Sequence, residues 1–359
     1  MSSNTSLPLL RSLNQLLAPG RRYSPVEVVR HLGMIQAQDY LGALWAVGVR
    51  SDGADEAAVE RALAERSIVR TWPARGTLHF VPAEDVRWML DLLAVRVISG
   101  STRRYDQLEL VPADFSKSRE LLIKALQGGR QLTRGDAYEV LDQGGVSPAG
   151  QRGIHILGYL AMQGLICLGQ RSGKQHTFVL LDEWVPSAPA VSKEEALFRL
   201  AVRYITGHGP ATVKDFAWWS GLTQAAAKTG LESARGELLQ QTIDGIDYWL
   251  PRSAEQNQST LPVTLLPPFD EYLVGYTDRR AVLEMKNSLS INAGGGMLSS
   301  VILVRGKVAG TWKRTLKKKN VVIRPAWFIP PSKEDEIGFE EAAAHYAAFL
   351  GLRLEISRS

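Results

Sequence analysis

The sequence predicts an α+β protein, and three observations carry that prediction. Helical patterns followed by a pair of short β-like runs return three times in the first two thirds of the chain. The last third changes to short β-like runs closed by one amphipathic helix. The 359 residues exceed the usual size of one domain, and 45% hydrophobic with 22% charged residues is the composition of a globular chain that can bury a core.

Ser24-Pro25-Val26-Glu27 is a strong helix start: Ser24 can cap, Pro25 suits the first turn, and Glu27 completes a capping box. The helix it opens runs to about Leu32, where Gly33 can end it. Residues 55–66 predict a further helix, with Ala58, Val59, Ala62 and Leu63 on one side and acids and arginines on the other. Ile68 to Trp72 and Thr77 to Val81 then read as two strands across a turn at Pro73-Ala74-Arg75-Gly76. Helices followed by a hairpin are the outline of a winged helix.

The outline returns with helices at 116–127, 133–141 and 148–163 and strands at 165–168 and 177–181 around a polar turn. A third occurrence has helices at 193–206, 212–220 and 223–237, then strands at 241–243 and 248–250 joined by Asp244-Gly245. The repeat is one of architecture and not of letters. Pro186-Ser187-Ala188-Pro189 and the polar stretch 252–260 read as linkers. Beyond them lie β-like runs at 263–266, 300–304 and 307–312, a hairpin-like Arg305-Gly306-Lys307, and a helix at 339–350. The expected architecture is three tandem winged-helix modules (1–115 with a linking helix, 116–186 and 190–252) and a C-terminal β-rich domain, 261–359.

Composition excludes several classes of function. The single cysteine, Cys167, sits in the apolar run Gly164-Leu165-Ile166-Cys167-Leu168, which rules out an internal disulfide and favours a packed thiol. The six histidines, at 31, 79, 155, 176, 208 and 345, show no metal-ligand spacing. Gly294-Gly295-Gly296 lacks the Lys-Ser or Lys-Thr of a phosphate loop, and there is no GxSxG element. Neither a metal nor a nucleotide cofactor is expected. The N-terminus has no basic segment leading into an apolar core, and no window nears the roughly 18 apolar residues of a membrane helix, so a cytoplasmic protein with no membrane partner is expected.

Charge is segregated. The whole chain is +5, yet residues 285–333 hold ten Lys or Arg and no acid, so the remainder is net acidic. Such a window suits a polyanion, because phosphate contacts release counterions, although charge alone fits a solvated basic surface slightly better.

Gln36-Ala37-Gln38 lies just past the first capped helix or at the start of the next. On a helix these two amides point about 200° apart, whereas an extended segment can aim both at one point. Four passages, in this order, resemble the AlkZ family of bacterial DNA glycosylases. They are Gly33-Met34-Ile35-Gln36-Ala37-Gln38-Asp39-Tyr40; Arg70-Thr71-Trp72 with Arg75-Gly76-Thr77-Leu78-His79; Gly209-Pro210-Ala211-Thr212 with Asp215-Phe216-Ala217-Trp218-Trp219-Ser220-Gly221; and Leu266-Pro267-Pro268-Phe269-Asp270-Glu271-Tyr272 with Gly310-Thr311-Trp312.

The resemblance covers nearly the whole chain. It implies three winged helices around a concave DNA-binding surface and hydrolysis of the N-glycosidic bond of bulky alkylated purines, interstrand crosslinks included. It also implies recognition without full extrusion of the base. Family members carry a Gln-x-Gln or Gln-x-Asp catalytic motif, which falls here on Gln36 and Gln38. Two neutral amides can hold and orient a water for attack at C1′ but are poor bases, which suits a cationic N7-alkylpurine that already leaves readily. Asp39 is not expected to be the main catalyst, because the family's acidic variant has its carboxylate where Gln38 stands here.

DNA contacts are expected from Arg70, Arg75, Thr77 and His79 on the first hairpin and from Lys313, Arg314, Lys317, Lys318 and Lys319. Trp72 is expected in the core, and one of Trp218 and Trp219 half exposed. Three functions compete: a monofunctional glycosylase on adduct-bearing double-stranded DNA, for which a monomer suffices; a non-catalytic winged-helix transcriptional regulator; and a silent protein that sequesters a DNA-reactive compound. Asp55, Glu56, Glu60 and Glu65 make the helix at 55–66 an awkward major-groove reader, which favours repair over regulation.

Overall fold

Helices and sheets alternate along the whole chain, in a computed structural model that describes residues 6–18, 23–252, 261–294 and 297–357. Residues 1–5 of the N-terminus, 253–260 of the expected linker and the glycines at 295 and 296 lie outside the described residues. Two units arise: Met1–Glu60, Leu197–Trp219 and Thr223–Ser359 form one, and Arg61–Ala196 with Ser220–Leu222 the other.

In the unit that begins at Arg61, the strands Ile68–Ala74 and Thr77–Pro82 pair antiparallel. Arg75 and Gly76 both take positive φ, 56° and 70°, the two-residue turn whose twist matches the strands it joins. Ile68–Ala74 also pairs with Ile166–Leu168, and the sheet continues through Thr177–Leu180 to Leu132–Thr133. The hairpin at 68–82 and the strands at 166–180, which close the first and second helix-and-hairpin outlines, therefore share one sheet. Pro112–Leu126, Arg134–Gln143 and Arg152–Met162 supply its helices, and Leu122, Leu126, Leu141, Ile156 and Leu160 its core. Thr133 is a cap and not a helical residue: its hydroxyl accepts the Asp136 N–H. Cys167 is fully buried, and burial pushes its thiol far above the usual range.

The other unit is built on a five-stranded sheet in the order Arg353–Ile356, Asn320–Trp327, Lys307–Leu316, Val301–Val304, Thr264–Leu266, with only the first pair parallel. Lys307–Leu316 runs past the predicted end at 312 and turns through Lys317-Lys318-Lys319 into Asn320–Trp327, a strand that the pattern does not predict. Clustered lysines are poor strand formers and break the alternation on which such a prediction rests. The C-terminal helix Lys333–Phe349 starts earlier than 339 because Ser332 and Asp335 form a capping box. It packs on the sheet edge-to-face, Trp312 against Tyr346 at 5.1 Å and Trp327 against Phe339 at 5.7 Å. Leu238–Ile243 and Ile246–Pro251 make a separate hairpin whose Asp244-Gly245 turn, like Arg305-Gly306, repeats the paired positive φ of Arg75-Gly76. No helix among the described residues is long and apolar enough to cross a membrane.

Candidate active site and nucleic-acid interface

The helix Pro25–Leu32 has both halves of its capping box. Gly33 ends it at φ 82°, where a β-carbon would also come within 2.8 Å of Arg203 Cγ. Ile35–Gln36 is then a short strand and the chain bends at Gln38: Ile35 and Ala37 are fully buried, Gln36 is half-buried and Gln38 exposed. Burial alternates along these four residues, with Gln36 and Gln38 the two that are less buried. Asp39, itself extended at φ −87° and ψ 103°, caps the helix Tyr40–Gly48 by accepting the Gly42 N–H at 3.3 Å with its carboxylate. The sequence hides that helix, because Tyr40–Gly48 is apolar all round and has no helical period to detect.

Buried contacts hold the segment on both sides. Downstream, the Trp45 indole N–H donates to the Leu265 carbonyl at 2.7 Å, and its ring packs against Tyr346 and Phe349 at 4.9 and 5.1 Å. Within the segment, the Gln36 backbone N–H donates to Glu271 Oε1 at 2.9 Å. The other carboxylate oxygen of Glu271 accepts from the Trp219 indole at 2.9 Å and lies 3.4 Å from His208 Nε2. The preceding residue, Asp270, clamps Arg50 in a bidentate pair of 2.7 and 2.8 Å, with both side chains fully buried. Arg50 also donates to the Gln15 and Ala46 carbonyls. Asp270 and Glu271 were legible only as part of the passage that resembles the family. Their partners at Arg50 and Gln36 stand 220 and 235 residues away, and no local pattern signals such pairs.

In the other unit, the four hairpin residues divide. Arg75 and Thr77 are part-exposed at the turn. Arg70, 4% exposed, and His79, fully buried, bind protein groups. Arg70 donates to His176 Nε2 at 2.8 Å. Burial first, then the Arg70 and Arg171 charges, push His176 down to about 4. His79 Nδ1 donates to the Thr77 carbonyl at 2.9 Å, and its Nε2 accepts from Arg75 at 3.0 Å. A carbonyl only accepts and a guanidinium only donates, so this imidazole is neutral with its proton on Nδ1. Trp72 is partly buried against the unit's core. Trp218 is half exposed, and Trp219, in the first-described site, is fully buried.

The basic window changes when folded. Lys313 and Arg324 are exposed and face each other across the long hairpin, and Lys317, Lys318 and Lys319 are exposed at its tip. Arg314 lies on the opposite face, where it donates to the Tyr346 hydroxyl with its guanidinium 5.6 Å from the ring centre. Acids reach the window from outside it: Glu284 pairs with Lys286, Glu334 and Asp335 with Arg305, and Glu355 with Lys317. A stretch free of acid in sequence is thus not free of acid in space. The cationic face narrows to the hairpin around Lys313, Lys318, Lys319 and Arg324. Among the described residues, no group of three His, Cys, Asp or Glu is placed to hold a metal ion.

The Gln36–Gln38 segment on its buried supports and the cationic hairpin stand on one mixed α+β scaffold. The scaffold matches that of the Streptomyces sahachiroi DNA glycosylase AlkZ with a TM-score of 0.82, covering 98% of each chain at 23% identity, a likeness of fold. The chain is also 27% identical over 370 residues, 95% of each sequence, to a Streptomyces sahachiroi protein described as an interstrand DNA cross-link repair glycosylase. Residues 29–349 match the sequence model of the family described as DNA glycosylase AlkZ-like, and the chain belongs to that family.

Proposed function

We propose that this DNA glycosylase hydrolyses the N-glycosidic bond of bulky, cationic N7-alkylpurines in double-stranded DNA, acting on interstrand cross-links as the name of its Streptomyces relative says of that protein. The observation that carries the reading is that Gln36 and Gln38 stand less buried between and beyond the fully buried Ile35 and Ala37, with the Gln36 backbone held by Glu271. In this reading the two amides hold one water against C1′. A cationic purine leaves with its electron pair, neutralised, and the water's proton passes to solvent as the C1′–O bond forms. Positioning supplies the rate, since amides are weak bases. The product is an abasic site, with no lyase step.

The same reading gives the chain three tandem winged helices, at 1–115, 116–186 and 190–252, with a β-rich end at 261–359, working as a cytoplasmic monomer. Arg75, Thr77, Lys313, Lys317, Lys318 and Lys319 are assigned to the DNA backbone. Arg70 and His79, which are buried, and Arg314, which lies against Tyr346, are assigned to shaping the surfaces that carry them. The test is alkaline cleavage of a duplex carrying one N7-alkylguanine and of a crosslinked duplex, with wild type and the Gln36→Ala/Gln38→Ala double variant. Strand breaks with wild type and none above background with the variant are expected. Equal cleavage by both proteins would sink the assignment, and tight sequence-selective binding without base release would favour a regulator.

A further inference from the structure

One buried acid at this site has no place yet in the chemistry. Glu271 is fully buried, with Oε1 on the Gln36 N–H at 2.9 Å and Oε2 on the Trp219 indole N–H at 2.9 Å, 3.4 Å from His208 Nε2. The preceding residue, Asp270, is already tied to Arg50 and accepts the Tyr272 N–H at 2.9 Å. A neutral carbonyl satisfies a backbone N–H, and burying a carboxylate is costly. The one carboxylate here closes two N–H donors at once, the Gln36 amide and the Trp219 indole, and so ties the Gln36 peptide to a fully buried ring. What an anion adds is stiffness, because a charge-assisted bond is shorter and stronger than a neutral one. It acts on the peptide whose nitrogen is bonded to Gln36 Cα, so it sets the direction in which that side chain leaves the backbone.

We propose that Glu271 is a positioning residue for base excision, its carboxylate aiming the Gln36 amide. The proposal rests on Gln36 being one of the two water-holding groups. In Glu271→Gln the shape is kept, but the new NH2 must oppose either the Gln36 N–H or the Trp219 indole N–H.

The experiment is a double-mutant cycle. Single-turnover excision from a duplex carrying one N7-benzyl-2′-deoxyguanosine, and the Kd for that duplex by fluorescence anisotropy, are measured for wild type, Glu271→Gln, Gln36→Ala and the double variant. Glu271→Gln is expected to slow excision by about 10²-fold at unchanged Kd. In the Gln36→Ala background the same change is expected to cost less than about threefold, because it acts through the missing amide. Additive losses, an equal loss in Kd, or a wild-type rate in Glu271→Gln would overturn the proposal. If Glu271→Gln does not fold, Glu271→Asp, which withdraws the carboxylate by one methylene, takes its place in the cycle with the same coupling expected. A wild-type rate in Gln36→Ala defeats the water-holding reading itself, whereas a large loss there beside a silent Glu271→Gln defeats only the positioning role.

Discussion

The Gln36–Gln38 segment and the lysine hairpin at Lys313–Lys319 belong to the same unit and are built on opposite terms. The glutamines carry no charge, and their backbone is held by a buried carboxylate, a capped helix and a buried Trp45. The lysines are exposed on a hairpin tip, where charge is high and little of the side chain is packed. Orienting a water demands position to a fraction of an ångström, and only buried packing supplies that. Binding a phosphate backbone demands cations within reach, and mobile side chains lose little by being mobile.

That contrast can be broken in order of expected effect. Removing both amides, Gln36→Ala/Gln38→Ala, should lower single-turnover excision by at least about 10³-fold while duplex Kd moves little, since the lost groups act in the transition state. A matching loss of binding would make the segment a binding element instead. Asp270→Ala strands a buried guanidinium and should cost about 3–5 kcal/mol of stability, read by calorimetry, because breaking a buried pair is far worse than lacking one. A loss below about 1 kcal/mol would mean that the support for the glutamine segment is not rigid.

Lys317→Ala/Lys318→Ala/Lys319→Ala should weaken duplex binding and make the dependence of log K on log salt shallower by between about two and three, near one per phosphate contact, with Lys317 contributing least because Glu355 already pairs with it. Excision at saturating DNA should hold; a fall there would move the hairpin into the chemistry. Asp39→Ala removes a helix cap and should cost about 1 kcal/mol, with excision at saturating DNA kept within about threefold; a far larger loss of rate would restore Asp39 as a catalyst.

The smallest effect concerns pH in the other unit. The folded chain holds His176 neutral down to about 4, while the unfolded chain takes up a proton below about 6.5. Its contribution to stability is therefore present above pH 6.5 and lost as pH falls toward 4. His176→Gln should flatten the fall in Tm over that range; an unchanged fall would assign it to other groups.

Much of the fold is legible because it follows from local chemistry. The capping box at Ser24 and Glu27, the three turns at Arg75-Gly76, Asp244-Gly245 and Arg305-Gly306, and the helices at 116–127 and 193–206 all stand within a residue or a few of where patterns of cap, turn and period put them. Elements whose pattern is erased by their surroundings were not legible. Tyr40–Gly48 is apolar on every side because it is buried on every side, and Asn320–Trp327 follows a lysine run that reads as surface. At the site, the Gln-Ala-Gln motif was visible as letters, but whether its amides converge or diverge depended on backbone that the letters leave open. Glu271 was visible as one letter of a matching passage, and nothing local tied it to Gln36.

The sequence alone determined the α+β class, the hairpin turns, the segregation of charge and the family, since each depends on neighbours a few residues apart or on the linear order of motifs. Only the tertiary structure decided which of those residues can act. It left Gln36 and Gln38 less buried than their neighbours, set Glu271 on the Gln36 N–H, buried Arg70 and His79, and brought Glu355 beside Lys317. Burial and long-range pairing are properties of the packed core, and no window of sequence contains them.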